Sequence, residues 1–478
     1  MRPIPSLLVL LLMVPLGGSG KPGNRSLLVL SSLPVSPPSA VLSATAKNSA
    51  TALASTPPMG WNSWDSFGTT VTEADVKANA AWMAQNLKAY GWQYVVVDME
   101  WFVTNPIPEG NSRNFVYSLD ENGRYIPDLK RFPSSAIGAG FKPLADYVHS
   151  LGLKFGIHIL RGIPKQAVER NLPIAGSHYR AADAADRADT CPWNFDNYGA
   201  DSSRPAAQAY YDSIAELYAR WGVDFLKTDC IASHPYKAED IRMLSAALRK
   251  IGRPIVLSLS PGEAPIEKIE ELRANAQMWR ISDDVWDVWH STVAYPQGLN
   301  DQFRRVAKWA GETRSGQWPD ADMLPLGYLG PAPGWGSTAR QSRLTHDEQR
   351  TLMTLWCMFR SPLMMGGNLP QSDEWTKSLL TNSEVLEVDQ HSTNGHVALE
   401  TEDIMIWLSQ AADTGKYYLA IFNRSEHAQA IGYRWKDLGL VEKSYKSRDL
   451  WQGRTLAPAD QLSVSLPPHG SLLYQLSD

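Results

Sequence analysis

The chain has 478 residues, more than one ordinary domain needs, so it reads as two domains. Apolar residues make up 44% and charged residues 20%, the balance of a globular protein in water. The 45 basic and 50 acidic side chains leave a net charge of −5 without a long like-charge run, which argues against nucleic acid or an anionic membrane as the main partner.

Residues 1–50 read as a leader. Arg2 gives a positive start, and Leu7 to Leu16 is an apolar core shorter than a membrane span. A second apolar stretch, Leu27 to Val35, follows. Ala44-Thr45-Ala46 offers a small-x-small cleavage pattern, and the region of Gly18 and Gly20 offers another. The expectation is a secreted or periplasmic protein with no membrane anchor in its mature form.

From residue 57 to 390, short apolar or β-branched runs alternate with amphipathic helical stretches. Val71 to Tyr90 predicts a helix with Thr72 as N-cap and Gly91 ending it. Tyr94 to Asp98 is a buried strand. Phe141 to Leu151 is helical and Lys154 to Leu160 a strand. Pro205 to Trp221 is a helix that leads into a strand ending at Asp229. Lys237 to Ile251 is a helix, Ile255 to Ser260 a strand and Met278 to Ser282 the next strand. This alternation means parallel sheet, and its length favours an α/β fold with a closed (β/α)8 TIM barrel. From residue 391 to 478 the texture changes to short alternating strands at Ile404–Leu408, Tyr417–Phe422, Ala430–Trp435 and Leu462–Leu466. This predicts a small C-terminal antiparallel β-sandwich domain.

The three cysteines cannot make a disulfide framework. Cys191 and Cys230 both fall near the barrel rim, either as one bridge or as two separate thiols; Cys357 reads as a buried apolar residue. The 18 tryptophans serve core packing and, for some, platforms for sugar rings. Two strands end in carboxylates: Asp229 on one, Asp283 and Asp284 beyond the other. A carboxylate at a buried strand end is costly unless paired or used, and strand C-termini form the active rim of such a barrel. Two acids on one rim is the layout that glycosidic-bond hydrolysis requires.

Five motifs then carry a resemblance. Met59-Gly-Trp-Asn-Ser-Trp-Asp-Ser-Phe67, Val97-Asp-Met-Glu-Trp101, Lys227-Thr-Asp229, Arg280-Ile-Ser-Asp-Asp284 and Trp318-Pro-Asp-Ala-Asp-Met-Leu324 occur in the order seen in glycoside hydrolase family 27. That family contains α-galactosidases and α-N-acetylgalactosaminidases. The resemblance covers residues 57 to 476. It implies a retaining double displacement on an oligosaccharide or glycoconjugate, without metal or cofactor. Asp229 matches the nucleophile and Asp284 the acid/base, with carboxyl groups about 5–5.5 Å apart in retaining enzymes. Lys227 would hold Asp229 ionised and bond a sugar hydroxyl, and Arg280, Asp98 and Asp322 would also bind the sugar. Trp61 and Trp101 would wall the pocket. His158 is either a satisfied core residue or a sugar contact.

The departures from the family pattern concern the substrate. α-Galactosidases carry two consecutive aspartates that grip O4 and O6 of galactose, and here the pair reads Asp98-Met99. The fifth strand continues Ser258-Leu-Ser-Pro-Gly-Glu263 where the family has a Cys-Glu-Trp or Cys-Ser-Trp pocket for the C2 substituent. A long insert, Arg161 to Asp201, offers Trp193 as a sugar contact. The leading expectation is an exo-acting α-galactosidase. The same mechanism on a β-L-arabinopyranoside or an α-N-acetylgalactosaminide is the alternative. An inactive carbohydrate-binding protein is disfavoured because neither acid is lost, and no Gly-x-Gly-x-x-Gly follows a strand to support a dinucleotide site.

Overall fold

The computed structural model describes residues 53–478 apart from 109, 111, 294, 331–337 and 414. The expected leader lies outside the described residues. Eight parallel strands form one sheet: β1 (Met59–Asn62), β2 (Tyr94–Val97), β3 (Lys154–Leu160), β4 (Phe225–Asp229), β5 (Val256–Leu259), β6 (Met278–Ser282), β7 (Trp318–Asp320) and β8 (Leu363–Met365). Their spatial order follows chain order, and β8 returns to pair with β1. A parallel bridge between Leu324 and Met365 joins the chain after β7 to β8, completing a (β/α)8 barrel. Helices α1 (Glu73–Asn86), α2 (Lys142–Ser150), α3 (Pro205–Trp221), α4 (Ala238–Lys250), α5 (Ile269–Asn275), α6 (Asn300–Lys308) and α7 (His346–Phe359) connect the strands in turn.

Local chemistry sets the helix ends. Thr72 caps α1 in a capping box with Asp75, and α1 stops at Asn86, short of the expected Tyr90. A single 3-10 turn, Lys88–Tyr90, carries the chain to Gly91, whose φ of +96° suits glycine. Pro205 opens α3 and Gly222, at φ +84°, closes it.

Side-chain alternation builds the site. Near the strand N-termini, Tyr94, Val96, Phe225, Val256, Met278, Trp318 and Met364 pack as one apolar cluster inside the barrel. Two residues further along, the same face of the same strands presents Asp98, Lys227, Ser258, Arg280 and Asp320. The interior is thus apolar at the bottom and ionic at the top. It is also tight: a Cβ on Gly60 would lie 2.4 Å from the Tyr94 carbonyl oxygen.

The C-terminal domain holds β9 (Thr393–Glu400), β10 (Ile404–Gln410), β11 (Tyr417–Asn423), β12 (Gln429–Arg434), β13 (Lys446–Asp449), β14 (Gln461–Leu466) and β15 (Ser471–Ser477). Strands β9-β10-β11-β15-β13 form one antiparallel sheet, and the β12–β14 pair is the second layer of the sandwich. Ile404, Ile406 and Leu408 of β10 enter the core between the layers with Leu419, Ile421, Ile431 and Trp435. Met405 and Trp407, on the other face, join Phe422 and Leu473 in the barrel's own core beside Met358 and Phe359 of α7. The large sheet is therefore covered on both faces.

Candidate active site

The polar ring at the barrel top is a connected charge network. Asp98 Oδ2 accepts from Asn62 Nδ2 at 2.7 Å and from Lys227 Nζ at 2.9 Å. Its Oδ1 accepts the Met99 backbone N–H at 2.9 Å. Burial works against the Asp98 charge, but Lys227 and His158 outweigh it and hold the carboxyl well below its ordinary range. Burial likewise penalises the Lys227 ammonium, and Asp98 overrides this to hold it above its usual value.

Asp229, at the end of β4, carries donors on both oxygens. Trp193 Nε1 donates to Oδ1 at 3.0 Å, and the Ser260 hydroxyl donates to Oδ2 at 3.0 Å. His158 Nε2 lies 3.5 Å from Oδ2. Burial raises the Asp229 pKa, while the bond and charge of His158, the Lys227 charge and the Trp193 N–H lower it further. The net result is a carboxylate held ionised below its ordinary range.

Arg280 is the second hub. Its Nη1 lies 2.7 Å from Asp322 Oδ1, and its Nη2 donates to Asp284 Oδ1 at 3.2 Å. Asp284 Oδ2 accepts from the Tyr295 hydroxyl at 3.1 Å. The Asp284 side chain is 25% exposed, whereas the Arg280 and Asp322 side chains are each 2% exposed. Asp322 Oδ2 accepts the backbone N–H of Val285 at 2.7 Å. Asp322 thus anchors Arg280 and the chain just after Asp284, with both oxygens engaged. Neighbouring Asp283 is committed elsewhere, accepting from Gln297 Nε2 at 3.2 Å and facing His234 Nε2 at 3.1 Å.

The insert folds back over this ring. Residues 163–164, 185–190 and 197–200 form a small antiparallel sheet of their own. Cys191 and Cys230 are disulfide-bonded, which decides between the two sequence alternatives and ties the insert to the residue after Asp229. Arg161 grips Asp189 bidentately at 2.8 Å and donates to the Cys230 carbonyl at 2.7 Å. Cys357 is buried and unbridged. Met99, Leu160 and the Cys191–Cys230 bridge form an apolar wall against which Trp64 and Trp193 pack.

The structure brings together Asp98, His158, Trp193, Lys227, Asp229, Arg280, Asp284 and Asp322. Trp61 and Trp101 are not part of this group. Trp61 has the opposite parity to Asn62, is fully buried among the helices and donates to the Gly367 carbonyl. Trp101 is fully buried in an aromatic cluster with Phe102, Phe141 and Trp221, and donates to the His158 carbonyl at 2.8 Å. Neither reaches solvent, so neither walls a pocket. Trp64, in the same opening motif, packs on that apolar wall instead, from the short helix Trp64–Phe67 that follows β1. Asn62, Ser260 and Tyr295 join the site without being singled out in the sequence, because their partners lie 36, 31 and 11 residues away.

The family model for alpha galactosidase A matches residues 56–167 and 195–391, and the model for the alpha galactosidase C-terminal beta sandwich domain matches residues 401–476. The break at 168–194 falls in the insert that carries Cys191 and Trp193. Among solved structures, the chain is similar to a GH27 β-L-arabinopyranosidase from Geobacillus stearothermophilus: 49% identity, TM-score 0.86, covering 90% of this chain and 98% of that one. A putative α-N-acetylgalactosaminidase from Bacillus halodurans shows 42% identity and a TM-score of 0.77 over 88% and 97%. An α-galactosidase of Cyamopsis tetragonoloba is 29% identical over 89% of this chain and 87% of its own. The chain belongs to the α-galactosidase family of glycoside hydrolases, family 27, and is an α-galactosidase-like glycosidase.

Proposed function

We propose that this enzyme is a retaining, exo-acting glycosidase that releases terminal β-L-arabinopyranosyl residues. Asp229 attacks the anomeric carbon, displacing the aglycone and forming a glycosyl ester, while Asp284 protonates the leaving oxygen. Asp284 then takes a proton from water, and the hydroxide so generated displaces Asp229. The ionised, doubly hydrogen-bonded Asp229 suits a nucleophile. The partly exposed Asp284, beside Arg280, suits a group that exchanges protons with leaving group and water.

The observation that carries the sugar assignment is the apolar wall at Met99. β-L-Arabinopyranose has the ring stereochemistry of α-D-galactopyranose without the C6 hydroxymethyl group. Asp98 remains to accept from the axial hydroxyl, but the second carboxylate of the family pair is replaced by Met99, which packs with Leu160 and the Cys191–Cys230 bridge. A hydroxymethyl placed there would bury O6 without an acceptor, at a cost of about 1–3 kcal/mol. A pentopyranose leaves nothing unpaired. The similar β-L-arabinopyranosidase supports this reading. α-Galactoside hydrolysis is the second reading, favoured by the retained Asp98–Lys227–Asn62 grip and by the curated relatives.

The test is initial rates on p-nitrophenyl β-L-arabinopyranoside, α-D-galactopyranoside and α-N-acetylgalactosaminide. The expected result is a kcat/KM for the arabinopyranoside about 10- to 100-fold above the galactoside. A preference for the galactoside would overturn the assignment.

A further inference from the structure

Two buried acids outside the catalytic ring lack a donor for one oxygen each. Glu100 is fully enclosed and sits at φ +68°. Its Oε1 accepts the Asn194 side-chain amide at 2.9 Å, and its Oε2 has no donor. Asp196 is 2% exposed. Its Oδ1 accepts the Tyr117 hydroxyl at 2.6 Å, and its Oδ2 has no donor. Asn194 ties the two together, its side-chain amide donating to Glu100 Oε1 while its Oδ1 accepts the Asp196 backbone N–H, and each acid acts on the other. Full ionisation would press two like charges together out of water, whereas one proton held between the pair would give the unpaired oxygens a donor.

The other charged and titratable groups facing the pair do not neutralise it. Tyr117 and Tyr125 are neutral phenols, and Tyr125 donates to Asn197 Oδ1 at 2.9 Å. Arg131 spends its Nη1 on the Glu100 and Val103 backbone carbonyls. Lys165 acts on Asp196 only through space. Burial pushes the Glu100 carboxyl well up, and Asp196 pushes it further; burial raises Asp196 as well.

The pair sits at one end of a short lever. Asp196 donates its backbone N–H to Asn194 Oδ1 at 2.8 Å, Asn194 binds Glu100, and Trp193 holds Asp229 Oδ1. The disulfide at Cys191 fixes the other end. We propose that Glu100 and Asp196 share one proton and are positioning residues: the shared proton latches the 191–197 turn to the end of β2, and so keeps Trp193 on Asp229. This rests on the assignment of Asp229 as nucleophile only for its catalytic consequence.

The test uses the full chain as wild type, Glu100→Gln and Glu100→Ala. Hydrogen exchange of segment 191–197 is followed against pH, corrected for the intrinsic pH dependence of exchange. In parallel, kcat/KM is measured on a 2,4-dinitrophenyl glycoside, whose leaving group needs no acid from Asp284. Wild-type protection is expected to fall as pH rises and the shared proton leaves. The glutamine amide donates to Asp196 without titrating, so Glu100→Gln keeps both protection and kcat/KM into the alkaline range. Glu100→Ala loses protection at all pH values, and kcat/KM falls about tenfold, the effect of one buried hydrogen bond. An exchange profile for Glu100→Gln with the wild-type pH dependence, or full protection in Glu100→Ala, overturns the latch. The exchange arm requires no turnover, so a failure of the glycosidase reading shows separately, as absence of cleavage by the wild type.

Discussion

The donors on Asp229 set its protonation, and their removal has a calculable signature. Ser260→Ala deletes a donor 3.0 Å from Oδ2, at a position only 1% exposed, where water does not substitute. A hydrogen bond to a charged acceptor contributes about 1.5–3 kcal/mol, and one pKa unit corresponds to about 1.36 kcal/mol. The Asp229 pKa is therefore expected to rise by about 1–2 units. Trp193→Phe deletes the donor 3.0 Å from Oδ1, but Trp193 is only half-buried, so water recovers part of the loss and the rise is nearer 1 unit. The sign is fixed: in the proposed mechanism Asp229 attacks as the carboxylate, its folded pKa lies below the ordinary range, and losing a donor moves it upward. The acid limb of the kcat/KM–pH profile, which reports the free enzyme, should move to higher pH in both variants, and further in Ser260→Ala. An acid limb unmoved in Ser260→Ala, or moved to lower pH, would refute the assignment of Asp229 as the group whose ionisation governs attack.

Met99→Asp restores an acceptor on the apolar wall, so the ratio of kcat/KM for α-galactoside over β-L-arabinopyranoside should rise about 10- to 100-fold; an unchanged ratio removes Met99 as the selector. Burial pushes Asp322 up to about 7, with Asp284 and Asp320 adding to it against Arg280. A carboxyl raised on folding contributes stability that is complete below its unfolded pKa of about 4 and is lost as pH rises through about 7. Asp322→Asn should therefore flatten the fall of the unfolding midpoint between about pH 4 and 7, and an identical slope in both proteins would refute this. A thiol reagent should find no reactive cysteine in the native protein, because Cys357 is enclosed and Cys191 and Cys230 are bridged. After reduction it should find two, and kcat/KM should fall as Trp193 loses its covalent anchor. Activity unaffected by reduction would mean that the remaining contacts alone hold the insert.

Much of the ionic ring was legible because a barrel strand is a period-two object. Once Asp229 is placed at a strand end, parity puts Lys227 on its face, and the same rule puts Asp98, Arg280 and His158 inside. Trp61 went to the wrong side where that rule was not applied: Asn62 binds Asp98, so Trp61 must face the helices. Trp101 lies beyond the strand, where parity lapses, and its place among Phe102, Phe141 and Trp221 depends on α2 and α3 packing over it. The insert is the harder case. Its sheet and its clamp on Asp189 pair segments that share no periodicity, so nothing local announces them. Glu100 is the extreme example. In sequence it is one acid in a motif between Met99 and Trp101, and only the approach of Asp196, ninety-odd residues later, turns it into half of a proton-sharing pair. Residues that the strand period aims into the barrel mouth are readable from a single sequence, whereas those that hold the insert over Asp229 become visible only when distant segments meet. The unmatched stretch at 168–194 makes the same division: the strands that carry the carboxylates lie within the matched ranges, and the insert outside them supplies Trp193, a donor to Asp229.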